Sequence, residues 1–157
     1  MNHARDYKIR QRSGTKHPQM FHNMAVDVVK RMKTCINKHS SRYCAYTFKM
    51  DRLELRAGMY VTFIKDWIKV LGENLMVIRA EDYYQNRGKE IQKISAFLDI
   101  SRLGGKEIEA IDESHVNGRR PMNNGMLNKT RTLLDEFYEP FNRELTDLLK
   151  NHKLPGQ

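Results

Sequence analysis

Between His115 and Pro121 the chain reads HVNGRRP. Gly118 lets the backbone come close to a ligand or take positive φ, and Arg119 and Arg120 present planar forks of N–H donors that suit a phosphate. Pro121 holds Arg120 extended. By chemistry alone this is either an anion site or a solvated basic turn. A second group of cations, Lys38, Arg42, Lys49, Arg52 and Arg56, precedes the second long helical pattern. It either holds an acidic polymer through many exposed contacts or only solubilises the surface. RSGTK, Arg12 to Lys16, has the small residues of a phosphate cradle. No buried strand precedes it and Pro18 breaks the helix that should open directly after it, so it reads as a solvated loop. Glu81 and Asp82 read as a helix cap, His22 and His115 as ordinary exposed histidines, and no catalytic base is assigned. The six histidines are scattered and the only cysteines are Cys35 and Cys44, so no metal set is expected. Those two cysteines fit one disulfide in an oxidising compartment or two thiols in the cytosol.

The elements that would position these groups are mostly helical. Phe21, Met24, Ala25, Val28, Met32, Cys35 and Ile36 recur at helical spacing and predict an amphipathic helix over about 19–37. Residues 38–54 show no period and read as an exposed loop, tied by Cys35 and Cys44 if oxidised. A second helix is expected over about 56–71, with Tyr60, Phe63, Ile64, Trp67, Ile68 and Leu71 on its buried face and Gly72 as its stop. Trp67 is thus assigned to the core. Leu75 to Ile78, LMVI, reads as a buried strand at about 75–79. A single strand cannot satisfy its own backbone groups, so it must pair with another chain or with a sheet outside this sequence. Further helices are expected near 88–99, near 105–113 and from about Asn128, where Pro140 should kink or split the last one. Residues 1–18 read as an irregular lead-in, 19–151 as the folded body and 152–157 as a tail.

Length and charge set the outer bounds. The 157 residues suit one ordinary domain, and 28 Lys+Arg against 19 Asp+Glu give a formal charge of +9. That balance favours a polyanionic partner: nucleic acid, an acidic polysaccharide or an acidic membrane surface. No apolar run is long enough to span a bilayer, and residues 1–20 are too polar for a signal peptide.

A family resemblance decides among these readings. GMYVTFIKDWIKVLGENLMVIRAEDYYQNRGKEIQKISAFLDI, Gly58 to Ile100, resembles the stretch of the Golgi carbohydrate sulfotransferases that reads Gly-x-Tyr, a helix with Trp, a strand ending in Arg-x-Glu-Asp, then a helix ending in Phe-Leu. LLDEFYEPFNRELTDLL, Leu133 to Leu149, resembles the closing helix of the same family, with Phe137, Tyr138, Pro140, Phe141 and Asn142 in place. Between these blocks the family carries a Lys-Gly-Arg loop at the position of NGRRP. Within the family the chain is most similar to members acting on chondroitin sulfate. That likeness rests on Phe21-His22 at the first helix, the cysteines nine positions apart and Arg-Arg-Pro.

The resemblance implies an α/β fold, of which this chain is the C-terminal, mostly helical part of a P-loop nucleotide-kinase-like sulfotransferase. It implies the donor 3′-phosphoadenosine-5′-phosphosulfate, with Gly118, Arg119, Arg120 and Asn117 on its 3′-phosphate side; Asn117 stands where the family has lysine. It implies an acidic glycosaminoglycan acceptor such as chondroitin sulfate, no nucleic acid and no metal. It places the protein in the Golgi lumen behind an N-terminal anchor, a setting in which Cys35 and Cys44 would be bonded. The family's phosphosulfate loop, and the Arg and Ser that bind the 3′-phosphate, find no match; ARDY, Ala4 to Tyr7, offers Arg5 and no serine. The chain is therefore expected to be an incomplete, inactive sulfotransferase. The alternatives are a non-catalytic glycan-binding remnant and a small basic nucleic-acid-binding helical module, for which no recognised motif speaks.

Overall fold

A computed structural model of the chain describes residues 18–48, 54–101, 103–113 and 126–152. Among them are seven α-helices: α1 (Pro18–Lys38), α2 (Ser41–Thr47), α3 (Tyr60–Leu71), α4 (Ala80–Gln85), α5 (Arg87–Phe97), α6 (Gly105–Glu113) and α7 (Asn128–Asn151). Two 3-10 turns, Leu55–Gly58 and Gly72–Asn74, lead into and out of α3. The described residues fall into two compact units. One takes in everything up to Asp66 together with α7 as far as Leu148, and the other runs from Trp67 through α6 and takes the end of α7.

The first unit is built by two long amphipathic helices. Pro18 opens α1 at the position where its missing N–H costs nothing. One face of α1 buries Phe21, Ala25, Val28, Val29 and Met32, and α7 answers with Leu134, Phe137 and Tyr138. Cys44 and Ala45 from α2, with Leu55 and Met59 around the 3-10 turn, close the same core. Polar pairs fix how α7 meets α1. The fully buried Thr130 Oγ1 shares a 2.9 Å hydrogen bond with His22 Nδ1, and Lys129 Nζ donates to Gln19 Oε1 at 2.9 Å. Lys65 on α3 pairs with Glu144 on α7. Tyr138 donates its hydroxyl proton to the Leu55 carbonyl at 2.6 Å, inside the core.

The second unit buries far less apolar surface. Among the described residues Leu75 is its buried hydrophobic residue, and Gly88, Glu90 and Ser95 line the inner side of α5. Glu90 is kept paired by Lys93 at 2.7 Å, as a buried carboxylate must be. Within this unit α5 packs on α4 and on α6.

Several expectations need correction. The mostly helical reading holds, but Leu75 to Arg79 forms no strand, and no strand occurs among the described residues. Its ends do have extended backbone, with φ −111°, ψ 118° at Leu75 and φ −79°, ψ 132° at Arg79. Among the described residues it is paired into no ladder, and a strand exists only through its ladder. The loop expected over 38–54 contains α2, started by the Ser40 side chain accepting from the Tyr43 N–H at 3.1 Å. Ile64 is buried as expected, but Trp67 is 54% exposed, and α3 buries Val61 and Thr62 beside Ile64. Periodicity identifies residues that share a face; it does not say which face is covered. Pro140 lies inside α7 without splitting it. Gly72, at φ 53°, does end α3 in the left-handed conformation that favours glycine.

Candidate functional site

The loop that carries Asn117, Gly118, Arg119 and Arg120 lies outside the described residues, as do His115, Lys49, Arg52 and the RSGTK segment. What the structure places is the other half of the basic group, in the first unit. Lys38 is exposed at the last turn of α1, Arg42 lies on α2, and Arg56 lies in the 3-10 turn before α3. These elements are neighbours, because α2 packs on α1 and on the 3-10 turn.

Two of the three cations already have carboxylate partners. Arg42 Nε donates to both oxygens of Asp66, at 2.8 and 3.1 Å. Arg56 Nε stands 3.4 Å from Glu54 Oε2. The Asp66 carboxylate is mostly enclosed, 16% exposed, while Arg42 remains 66% exposed. Asp66 also accepts from the Tyr46 hydroxyl at 3.0 Å. That hydrogen bond, followed by desolvation and the Asp66 charge, raises the Tyr46 phenol above its ordinary value against a smaller opposing effect of Arg42. The Arg42 guanidinium lies over the Tyr46 ring, 5.3 Å from its centroid. Tyr46 in turn meets Phe63 edge to face at 5.2 Å. Arg42, Tyr46 and Asp66 thus form one polar knot joining α2 to α3.

The underside of α2 is held covalently. Cys44, fully buried, is bonded to Cys35 of α1, with the two Cα atoms 6.0 Å apart. The short helix therefore has Cys44 and Ala45 inward and Arg42, Tyr43 and Tyr46 outward. Sequence reasoning singled out Arg42 but missed Tyr43, Tyr46 and Asp66. The available signal was the spacing Arg42-x-x-x-Tyr46, one helical turn, which becomes visible only once a helix is assigned there.

Glu81 and Asp82 stand in the first turn of α4, where negative charge suits the helix N-terminus, and Asp82 lies 3.7 Å from Arg79 Nε. His22 is bonded to Thr130 rather than free. Among the described residues, no three His, Cys, Asp or Glu side chains come together as a metal set.

Comparison with known proteins bears on what this architecture serves. The protein named Carbohydrate sulfotransferase 15 from Mus musculus is 28% identical over 145 residues, and that from Homo sapiens 27% over 145 residues. Both alignments take in 87% of this chain and 26% of the relative. A protein of the same name from Nototodarus sloanii is 26% identical over 133 residues, 80% of this chain and 84% of that protein. Through most of its length the chain is similar to proteins named as carbohydrate sulfotransferases. It spans about a quarter of the length of the mammalian carbohydrate sulfotransferases it matches. No family model matches it, and no solved structure does.

Proposed function

We propose that this chain is part of a carbohydrate sulfotransferase that moves a sulfuryl group from 3′-phosphoadenosine-5′-phosphosulfate to a hydroxyl of an acidic glycosaminoglycan such as chondroitin sulfate. The observation that carries the reading is the similarity to proteins named as carbohydrate sulfotransferases, which runs through 87% of the chain. In this reading 117–120 faces the 3′-phosphate side of the donor. The donor set suits that role: two guanidinium groups and the Asn117 amide all present N–H groups to an anion, and Gly118 lets the backbone approach.

The reaction forms a bond from the sugar oxygen to sulfur as the bond from sulfur to the 5′-phosphate oxygen breaks. The hydroxyl proton passes to a base, and 3′,5′-phosphoadenosine leaves. No residue of this chain is assigned as that base. Lys38, Arg42 and Arg56, with Lys49 and Arg52, are assigned to the acidic acceptor. A Golgi lumenal setting comes with the family reading, and the Cys35 to Cys44 bond agrees with an oxidising compartment. On its own the 157-residue chain is expected to bind without completing transfer, because its residues supply one wall of the donor site.

Calorimetric titration tests this directly, with 3′,5′-phosphoadenosine, chondroitin sulfate and duplex DNA offered to the chain in turn. The expected result is binding of the first two, with the affinity for chondroitin sulfate falling as salt is added. Tight binding of duplex DNA with no response to the other two overturns the reading.

A further inference from the structure

The outward side of α2 carries more aromatic surface than a seven-residue helix needs in order to pack. Tyr43 and Tyr46 are 50% and 47% exposed, although each is large enough to have served the core. His39, just before the helix, stacks on Tyr43 with ring centroids 4.6 Å apart. The Arg42 guanidinium covers part of Tyr46, and Lys38 stands exposed at the adjoining end of α1. The spacing from His39 to Tyr43 to Tyr46 places three rings along one side of the helix, with cations beside them.

We propose that this side of α2 is a platform for an acidic oligosaccharide. The apolar C–H faces of the sugar rings lie on His39, Tyr43 and Tyr46, and Arg42 and Lys38 pair with carboxylate or sulfate groups. The inference deepens the proposed function by naming where the glycan sits, and it rests on that reading for the ligand class.

Three features argue for it. The platform is rigid before any ligand arrives: the disulfide holds α2 from beneath, Asp66 anchors the Tyr46 hydroxyl, and Phe63 packs against the Tyr46 ring. Rings already held in place lose little freedom on binding. Next, Asp66 engages Arg42 through Nε, and among the described residues nothing engages the two terminal nitrogens. That edge of the guanidinium has the fork geometry that receives a carboxylate or sulfate. Last, among the described residues the charge here is modest, one exposed lysine and one arginine already matched by a carboxylate. Single-stranded nucleic acid also stacks on aromatic rings, but its affinity depends on a row of phosphate contacts, which the described residues of this face do not offer. A sugar acid with its charges spaced along the chain fits better.

The experiment titrates the 157-residue chain with a chondroitin sulfate oligosaccharide and, separately, with a single-stranded oligonucleotide and with 3′,5′-phosphoadenosine. It compares the parent with Tyr43→Ala, Tyr43→Phe, Arg42→Gln and, on the far end of α7, Lys150→Gln. Thermal melts confirm that each variant is folded. Tyr43→Ala and Arg42→Gln should each weaken the oligosaccharide about tenfold. Tyr43→Phe, which keeps the ring, and Lys150→Gln should bind as the parent does, and the response to 3′,5′-phosphoadenosine should be the same in all. Oligosaccharide binding that ignores both Tyr43→Ala and Arg42→Gln overturns the platform, and retained binding of 3′,5′-phosphoadenosine in that case leaves the proposed function standing. An oligonucleotide held more tightly than the oligosaccharide, and lost in the same two variants, also overturns it. If the parent responds to neither 3′,5′-phosphoadenosine nor the oligosaccharide, the proposed function fails with it.

Discussion

A methyl group at position 58 would sit 2.7 Å from two ring carbons of Tyr138 and 2.8 Å from its hydroxyl oxygen. Those atoms cannot retreat, because the ring is buried and its hydroxyl is bonded to the Leu55 carbonyl. Gly58→Ala should therefore lower stability by about 1–3 kcal/mol through overpacking. Urea melts measure it, and an unchanged midpoint would show that the ring has room to shift. This contact gives the Gly-x-Tyr motif at Gly58 and the closing-helix motif at Tyr138 a shared physical purpose, since one docks on the other. The Tyr46 phenol titrates higher in the folded chain than in the unfolded one. The fold favours the protonated form, so this stabilisation is complete below the ordinary phenol value of about 10 and is lost as pH rises through the higher folded value. The stability difference between the parent and Tyr46→Phe should accordingly shrink as pH is raised past about 10. A difference that stays constant across that range would mean that the Asp66 hydrogen bond contributes nothing.

At the scale of elements, the two long helices could be read from the sequence because their apolar residues repeat over enough turns to define a face, and α6 from Ile108 and Ile111, one turn apart. The helix expected over 19–37 runs Pro18–Lys38, and the one expected near 105–113 runs Gly105–Glu113. α2 could not be read this way. Its buried side consists of Cys44 and Ala45, too few residues to show a period, and a covalent bond stands in for the missing apolar area. The strand reading of LMVI failed for a different reason. Branched residues report a tendency toward extended backbone, whereas pairing depends on a partner that the described residues do not contain. At the candidate site, Arg42 was legible as a cation, but its tie to Asp66, 24 positions away, was not. The importance of the disulfide to α2 is testable. Closing a loop across a separation of 9 residues should contribute about 2–3 kcal/mol in the chain-entropy account. Replacing both cysteines with serine should remove that much from the urea-melt stability, and should cost α2 its helical amide protection before α1 loses any. Simultaneous loss from α1 and α2 would mean that the two helices are held together by packing and not by the bond.

Across the whole molecule, burial is unevenly shared. The connected apolar core lies in the first unit, where α1, α2, the 3-10 turn before α3 and α7 contribute Val28, Met32, Cys44, Leu55, Met59 and Phe137 among others. In the second unit, α4 has no buried residue and α5 buries Gly88, Glu90 and Ser95, which carry little apolar area. Free energies of local opening follow buried apolar contact, so the two units should open separately and at different cost. Native-state hydrogen exchange of the 157-residue chain should show the slowest amides in the middle of α1 and α7, with α4, α5 and α6 exchanging at least about tenfold faster, a gap of about 1.4 kcal/mol or more in opening free energy. A glycan resting on α2 should slow exchange in α2 and the adjoining end of α1 and leave α4 to α6 untouched. Uniform protection through both units would contradict this division, because it would require α4 to α6 to draw stability from something other than the apolar area they bury.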